Sequence, residues 1–447
     1  MAAALLLPAA YNGFPLIFPD TTAYLGVSYG QYWTLDRSGF YGLALKPILM
    51  TASPIAGLWI AVALQAALIA AILLIAVRRI APRLPLTAVA LPMLAIILVT
   101  SLPWHVSQLM PDAMTGGLVL LVWVATSSEL KAPGTALSWL GAGFLALVHY
   151  THLGLFIAVV VAVLAALAIG RVAGRELMSR AVAAAVVVAA VASAHVAVNG
   201  AYFGRWSIAP MSPLFLFARL NEDGLVPRWL DRHCGRDAPA ELCAIRQSLP
   251  RDSQKALWDD AASPLTALIH RRVGQPESWR WIDMLDEAVR GSIRDEPLAF
   301  SRNAVSGGLR QLAHFQVLDD ECPTVCESAM NGLIAVRPAL AEPIGQSRQL
   351  RGTVDRPLVQ WVTWAPALVG QLLLVPMLIV ASRKRDRQAA SLIAAILVAL
   401  IANALMAGAL SDVHDRYQSR IVWLAPFAAL WTAIRWRWLR PAPGDGT

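Results

Sequence analysis

The chain has 447 residues, 57% of them hydrophobic and only 15% charged, with a mean hydropathy of +0.55, whereas ordinary soluble proteins are about 45–50% apolar and about 25% charged. That composition excludes a disordered chain and argues against a soluble enzyme. The net charge of +8 does not point to nucleic acid either, because residues 200–357 hold 19 Lys/Arg against 20 Asp/Glu and the rest of the chain 18 against 9, so the basic excess lies in the apolar part, where it orients a membrane protein.

Taken in chain order, apolar runs fall at 2–18, 54–77, 86–102, 112–128, 135–151, 153–169, 181–199, 358–381, 389–410 and 421–434. A run of about 20 apolar residues crosses a hydrocarbon core about 30 Å thick, and helix is the form that satisfies every backbone group within the segment. The expected fold is therefore an all-α polytopic membrane protein of about ten transmembrane helices. Met1 lies inside the first run with no basic residue before it, so the reading is a short first span or a start further upstream, not a signal peptide. Only His149, Tyr150, Thr151 and His152 separate the fifth run from the sixth, which predicts a tight helical hairpin.

Basic residues collect at alternate junctions: Arg78, Arg79 and Arg83; Lys131; Arg171, Arg175 and Arg180; Arg383, Lys384, Arg385 and Arg387; and Arg435, Arg437 and Arg440. The intervening short loops carry Arg37, Lys46, Arg416 and Arg420. The positive-inside rule then makes the first set cytoplasmic, with both termini inside, in the cytoplasmic (inner) membrane. Residues 1–199 form spans one to seven, 200–357 an extracytoplasmic domain, and 358–447 spans eight to ten with a basic tail.

The 200–357 segment contains all four cysteines. An even number in an oxidising compartment reads as disulfides, and local pairing is expected for Cys234 with Cys243 and Cys322 with Cys326. A zinc site using His233 beside Cys234 lacks regular ligand spacing. Stretches 215–230, 253–262, 278–293 and 297–315 repeat apolar residues at helical spacing, so this domain is expected to be mainly helical.

Apart from His195, ionisable groups are almost absent from the middles of spans two to ten, which argues against ion-coupled transport. They crowd the outer ends instead, in four clusters. Asn12, Gly13, Phe14 and Pro15 lead to Asp20 and Tyr24; His105, Gln108 and Asp112 follow span three; His149 and His152 sit at the hairpin; Asp412, His414, Asp415, Arg416, Tyr417 and Arg420 precede the last span. Each has an ordinary structural reading. Asp20 and Asp112 stand where helix caps stand, the histidines where interfacial polar residues stand, and the arginines where headgroup anchors stand. Read chemically, a carboxylate there can deprotonate an acceptor or hold a divalent cation. Arginines one turn apart, as Arg416 and Arg420 are, can fork onto phosphate oxygens.

The plan of ten spans, an Asp after the first and an Arg-Tyr pair before the last resembles the GT-C superfamily of polytopic, polyprenyl-phosphate-dependent glycosyltransferases. That resemblance implies transfer of a sugar from a polyprenyl-phosphate donor to a glycan, lipid or protein acceptor at the outer face of the membrane. It makes Asp20 the candidate base and Arg416 a donor-phosphate ligand, with Arg420 and Tyr417 beside it. Asp112 is the candidate second carboxylate, His414 a further catalytic candidate, and Tyr24, His105, His149 and His152 would line the cavity. The sequence departs from the superfamily in lacking a paired acidic motif in the first loop and in placing its large domain between spans seven and eight. Two other classes compete. One is a transporter or flippase of a lipid-linked precursor. The other is a metal-dependent hydrolase or acyl transferase built on His105, His149, His152 and Asp112, although no His-Glu-x-x-His pattern occurs.

Overall fold

A computed structural model describes residues 1–128, 134–259, 261–269, 275–318 and 324–438, without the side chains of 324–329. Lys131, Arg440, Cys322 and the Cys326 side chain thus lie outside the described residues. Regular structure among the described residues is helical, apart from an isolated parallel bridge between Leu16 and Gln108.

Five helices are long and apolar enough to cross a membrane: Pro54–Ile80, Tyr150–Ile169, Gly174–Phe203, Arg356–Arg383 and Arg387–Leu410. They mark a multi-pass membrane protein. Their starts follow local chemistry, for the side chains of Ser53, Asp355 and Asp386 each accept a hydrogen bond from a first-turn amide, satisfying donors that a helix start leaves unpaired.

Four shorter apolar helices accompany them, at Phe40–Thr51, Leu86–Val99, Ala113–Ser127 and Thr135–Leu147, and Leu424–Trp438 ends the bundle. At 1.5 Å per residue, helices of 12–15 residues fall short of a hydrocarbon core. Ala113–Ser127 is apolar for another reason: every one of its residues is buried inside the protein. Phe40–Thr51 lies where the sequence reading placed a loop.

The 2–18 run is not one helix. Ala2–Leu5 and Leu7–Asn12 are separate short helices, and Gly13 ends the second in the left-handed region at φ 81°. Pro15 then disfavours helix at Phe14, so the chain continues extended. The hairpin at 147–150 forms as expected, between Thr135–Leu147 and Tyr150–Ile169.

Arg387–Leu410 runs through the centre of the bundle with twelve buried residues, among them Ala395, Ala399, Asn403 and Gly408. Trp123 donates to Ser391 Oγ at 3.1 Å, tying Ala113–Ser127 to it. Gly116 lies under the Trp423 indole so closely that a Cβ would come within 2.3 Å of the ring.

Residues 211–289 build a second core, in which Leu214, Phe217, Trp229, Leu242, Ile282 and Leu285 pack with Leu35 of the first loop, whereas Phe315, Leu333, Leu340 and Ile344 join the core of the bundle. The stretch predicted at 215–230 is broken at Gly224, φ 77°, into Ser212–Glu222 and Leu225–His233. The other three appear as Ser253–Trp258, Pro276–Asp295 and Pro297–Ala313. Cys234 and Cys243 form a disulfide, so the Cys234 sulfur is no zinc ligand. Pro297–Ala313 packs along Arg387–Leu410 instead of within this second core. A Cβ on Gly307 would sit 2.1 Å from the Gly408 carbonyl oxygen, so only glycine permits this approach.

Candidate functional site: a chain of ion pairs at one end of the bundle

The extended segment after Gly13 positions the first acidic group. Leu16 N donates to Ser107 O at 2.9 Å, and Leu16 O accepts from Leu109 N at 3.2 Å. On its other side the Gln349 carboxamide pairs with Ile17, accepting from its N–H at 3.0 Å and donating to its carbonyl at 2.7 Å. Clamped this way, the chain delivers Asp20 to the start of the Thr21–Ser28 helix. Asp20 occupies the cap position, yet its side chain makes no capping bond. Its carboxylate pairs with Arg37 through Oδ1 and with Arg416 Nη2 through Oδ2 at 3.1 Å.

Asp112 likewise precedes a helix, Ala113–Ser127, without capping it. Its side chain is fully buried and meets Arg420 Nη1 at 2.9 Å and Arg416 Nη2 at 3.4 Å. Arg416 therefore bridges Asp20 and Asp112, two carboxylates separated in sequence by five helices. Both arginines project from the Asp415–Val422 helix, one turn apart, which is why they reach the same carboxylate. Arg420 Nη2 also donates to Asn403 Oδ1 at 3.0 Å and to Thr151 Oγ1 at 3.4 Å. Asn403 returns its amide to the Tyr417 carbonyl at 2.6 Å and to Gln418 Oε1 at 2.8 Å. Arg37 additionally pairs with Asp36. Three arginines thus alternate with three aspartates. Burial on its own would raise the Asp20 carboxyl, but Arg37 and Arg416 outweigh it and hold it below the ordinary carboxylate range.

Aromatic groups wall this chain. The Arg416 guanidinium lies 3.9 Å from the Phe18 ring centroid, and both Arg416 and Arg420 stand 5.7 Å from that of Tyr417. Tyr24 is buried edge-on against Tyr41 at 5.4 Å and within electrostatic reach of Asp20 and Arg37. His105 Nε2 is 3.0 Å from Ser419 Oγ, one residue from Arg420, and both His105 and His149 lie within electrostatic reach of Asp112.

The histidines are less alike than their spacing implies. His149 Nδ1 accepts from Thr151 N at 3.2 Å and caps Tyr150–Ile169. His152 faces inward, its ring nitrogens 2.7 Å from the Leu145 carbonyl and 3.0 Å from Thr115 Oγ1, so neither is left for a ligand. His414 packs against the Tyr417 ring at 5.9 Å, and its backbone is gripped from the Pro297–Ala313 helix: Gln311 donates to its carbonyl at 2.7 Å and accepts from its N–H at 2.9 Å. Gln316 N donates to Asp415 Oδ1 at 2.7 Å, and Gln254 to Asp412 Oδ2 at 3.2 Å, so the 200–357 segment holds the approach to Arg416 from several directions.

Asp20, Tyr24, His105, Asp112, His149, His414, Arg416, Tyr417 and Arg420 thus lie in or beside one region, with His152 turned away from it. Three participants were not among them. Arg37 counted only as a loop charge, Asp36 was passed over, and Asn403 is a lone amide in an apolar run, a signal the sequence did contain. Among the described residues no three His, Cys, Asp or Glu side chains come together as a metal site, so a divalent cation lacks such a donor set there. A cavity of about 440 Å³ between Leu84, Ala88, Pro92, Ile434, Arg437 and Trp438 includes none of these groups.

The fold and this region together define a multi-pass helical membrane protein with a partly buried arginine–aspartate chain at one end of its bundle. Comparison with known protein families, with curated proteins and with solved structures finds no match to the chain.

Proposed function

We propose that the protein is a membrane glycosyltransferase that moves a sugar from a polyprenyl-phosphate donor to an acceptor at the extracytoplasmic face of the cytoplasmic membrane. The observation that carries this reading is the sharing of Arg416 between Asp20 and Asp112, with Arg420 one turn away. It puts a solvent-reachable carboxylate beside fixed cations in a poorly solvated place. The acceptor hydroxyl or amine attacks the anomeric carbon, its proton passes to Asp20, and the bond from that carbon to the phosphate oxygen breaks. The electron pair leaves on the polyprenyl phosphate, where Arg416 and Arg420 stabilise the developing charge more effectively than water does. Asp112, without solvent contact, orients the two arginines. The resemblance to the GT-C plan and the alternation of basic loops supply the donor class and the sidedness.

The test is turnover of a polyprenyl-phosphate sugar by purified full-length protein. Asp20→Asn should lower turnover by about 100- to 10,000-fold, the usual cost of losing a general base, without loss of donor binding. Arg416→Lys keeps a cation but loses the fork and should also impair turnover. Each variant is compared at unchanged thermal stability. Full turnover by well-folded Asp20→Asn would overturn the mechanism.

A further inference from the structure

The arginines assigned to the donor phosphate already have carboxylate partners, and the pairs differ in how far they are open. The Asp20, Arg37 and Arg416 side chains keep 17%, 18% and 11% of their exposure, against 0% for Asp112 and 3% for Arg420. The Asp112–Arg420 end is sealed, further fixed by Asn403. The Asp20–Arg416 end stays partly open. Asp20 spends one oxygen on each of two arginines, so losing one leaves it anchored by the other. Arg37 has its own hold, Asp36 on one side and the Trp258 ring 5.6 Å away on another. Arg420 Nε is buried with no partner among the described residues, which leaves unused donor capacity at the sealed end.

We propose that Asp20 occupies the donor-phosphate position in the ligand-free protein, so that an incoming lipid phosphate displaces Asp20 Oδ2 from Arg416 while Arg37 retains Oδ1. This rests on the reading of Arg416 as a phosphate ligand and adds an order of events to it. A carboxylate between two cations is a poor base, because both favour its ionised form. Phosphate exchange removes one of them and places negative charge nearby. Asp20 becomes a better proton acceptor when, and only when, the donor is bound.

The test is equilibrium binding of a polyprenyl monophosphate to purified full-length protein, with the corresponding polyprenol as control for the hydrocarbon chain. If Asp20 competes with phosphate, Asp20→Asn binds the probe about tenfold more tightly than the unaltered protein or better, the scale of removing one charged competing hydrogen bond. Asp36→Asn removes the same charge from the far side of Arg37 and should change binding by no more than about threefold. Equal tightening in both variants means a general charge effect and overturns the exchange. Binding by the unaltered protein that Asp20→Asn leaves unchanged or weaker also overturns it, while the phosphate reading survives. Absence of binding in the unaltered protein and in all variants removes both. Where Asp20→Asn lowers thermal stability, Asp20→Ser serves in its place, with the same expected sign.

Discussion

Asp112 shows what a single residue decides at this site. Its carboxylate has no solvent contact and meets two guanidinium groups, so each charge is tolerated only because of the others. Removing one member of a buried pair leaves an uncompensated charge, which typically costs about 3–5 kcal/mol. Asp112→Ala should therefore destabilise the protein by that order in denaturant or thermal unfolding in detergent, and Arg420→Met in the same chain should restore part of the loss. If the single variant unfolds at the same point as the unaltered protein, the pair is not buried as described. The contrast with Asp20 was not legible in the sequence. Both residues precede a helix beside a proline, and both read equally well as caps. Neither caps, because the arginines reach them first, and only packing seals Asp112 while leaving Asp20 partly open.

Among the elements, Pro297–Ala313 departs most from expectation. Its helical periodicity was readable, and the helix forms where that period runs. Its neighbour was not readable, since Arg302 and Arg310 suggest a solvent-facing helix while Gly307 and Gly308 pack against Gly408 and Leu405. The same helix carries Gln311 to the His414 backbone, two residues before Arg416. Gly307→Leu should push the two helices apart and lower stability by about 1–3 kcal/mol, the usual cost of overpacking, read as a fall in thermal midpoint. Gly345→Ala, at a glycine with open space around its Cβ position, should leave the midpoint nearly unchanged. The first apolar run teaches the converse. Hydropathy alone made it a span, but the prolines and Gly13 carry the backbone information: the helices divide at Leu6 ahead of Pro8, and Gly13 with Pro15 turns the chain into an extended strap that presents Asp20.

For the whole molecule, the charge pattern makes a prediction about sidedness. With the basic junctions inside, Cys234 and Cys243 face the extracytoplasmic compartment. After reduction, a membrane-impermeant thiol reagent should label them in cells whose outer permeability barrier has been opened. Labelling that appears only after the cytoplasmic membrane is lysed would reverse the orientation. The sequence by itself determined the helical class, the apolar runs and the polar clusters at their ends, because hydropathy, helical period and capping act over a few residues at a time. It also marked Asp20, Asp112, Arg416 and Arg420 as charged groups gathered at the ends of apolar runs. The tertiary structure alone decided that Arg416 bridges two aspartates more than 300 residues from it in sequence. It also made Arg37 and Asn403 members of the same chain, wrapped one short apolar helix wholly in protein, and set Gly307 against Gly408. The physical reason is that ion pairing and close packing depend on distance in space, which residue order does not encode until the helices have found their neighbours.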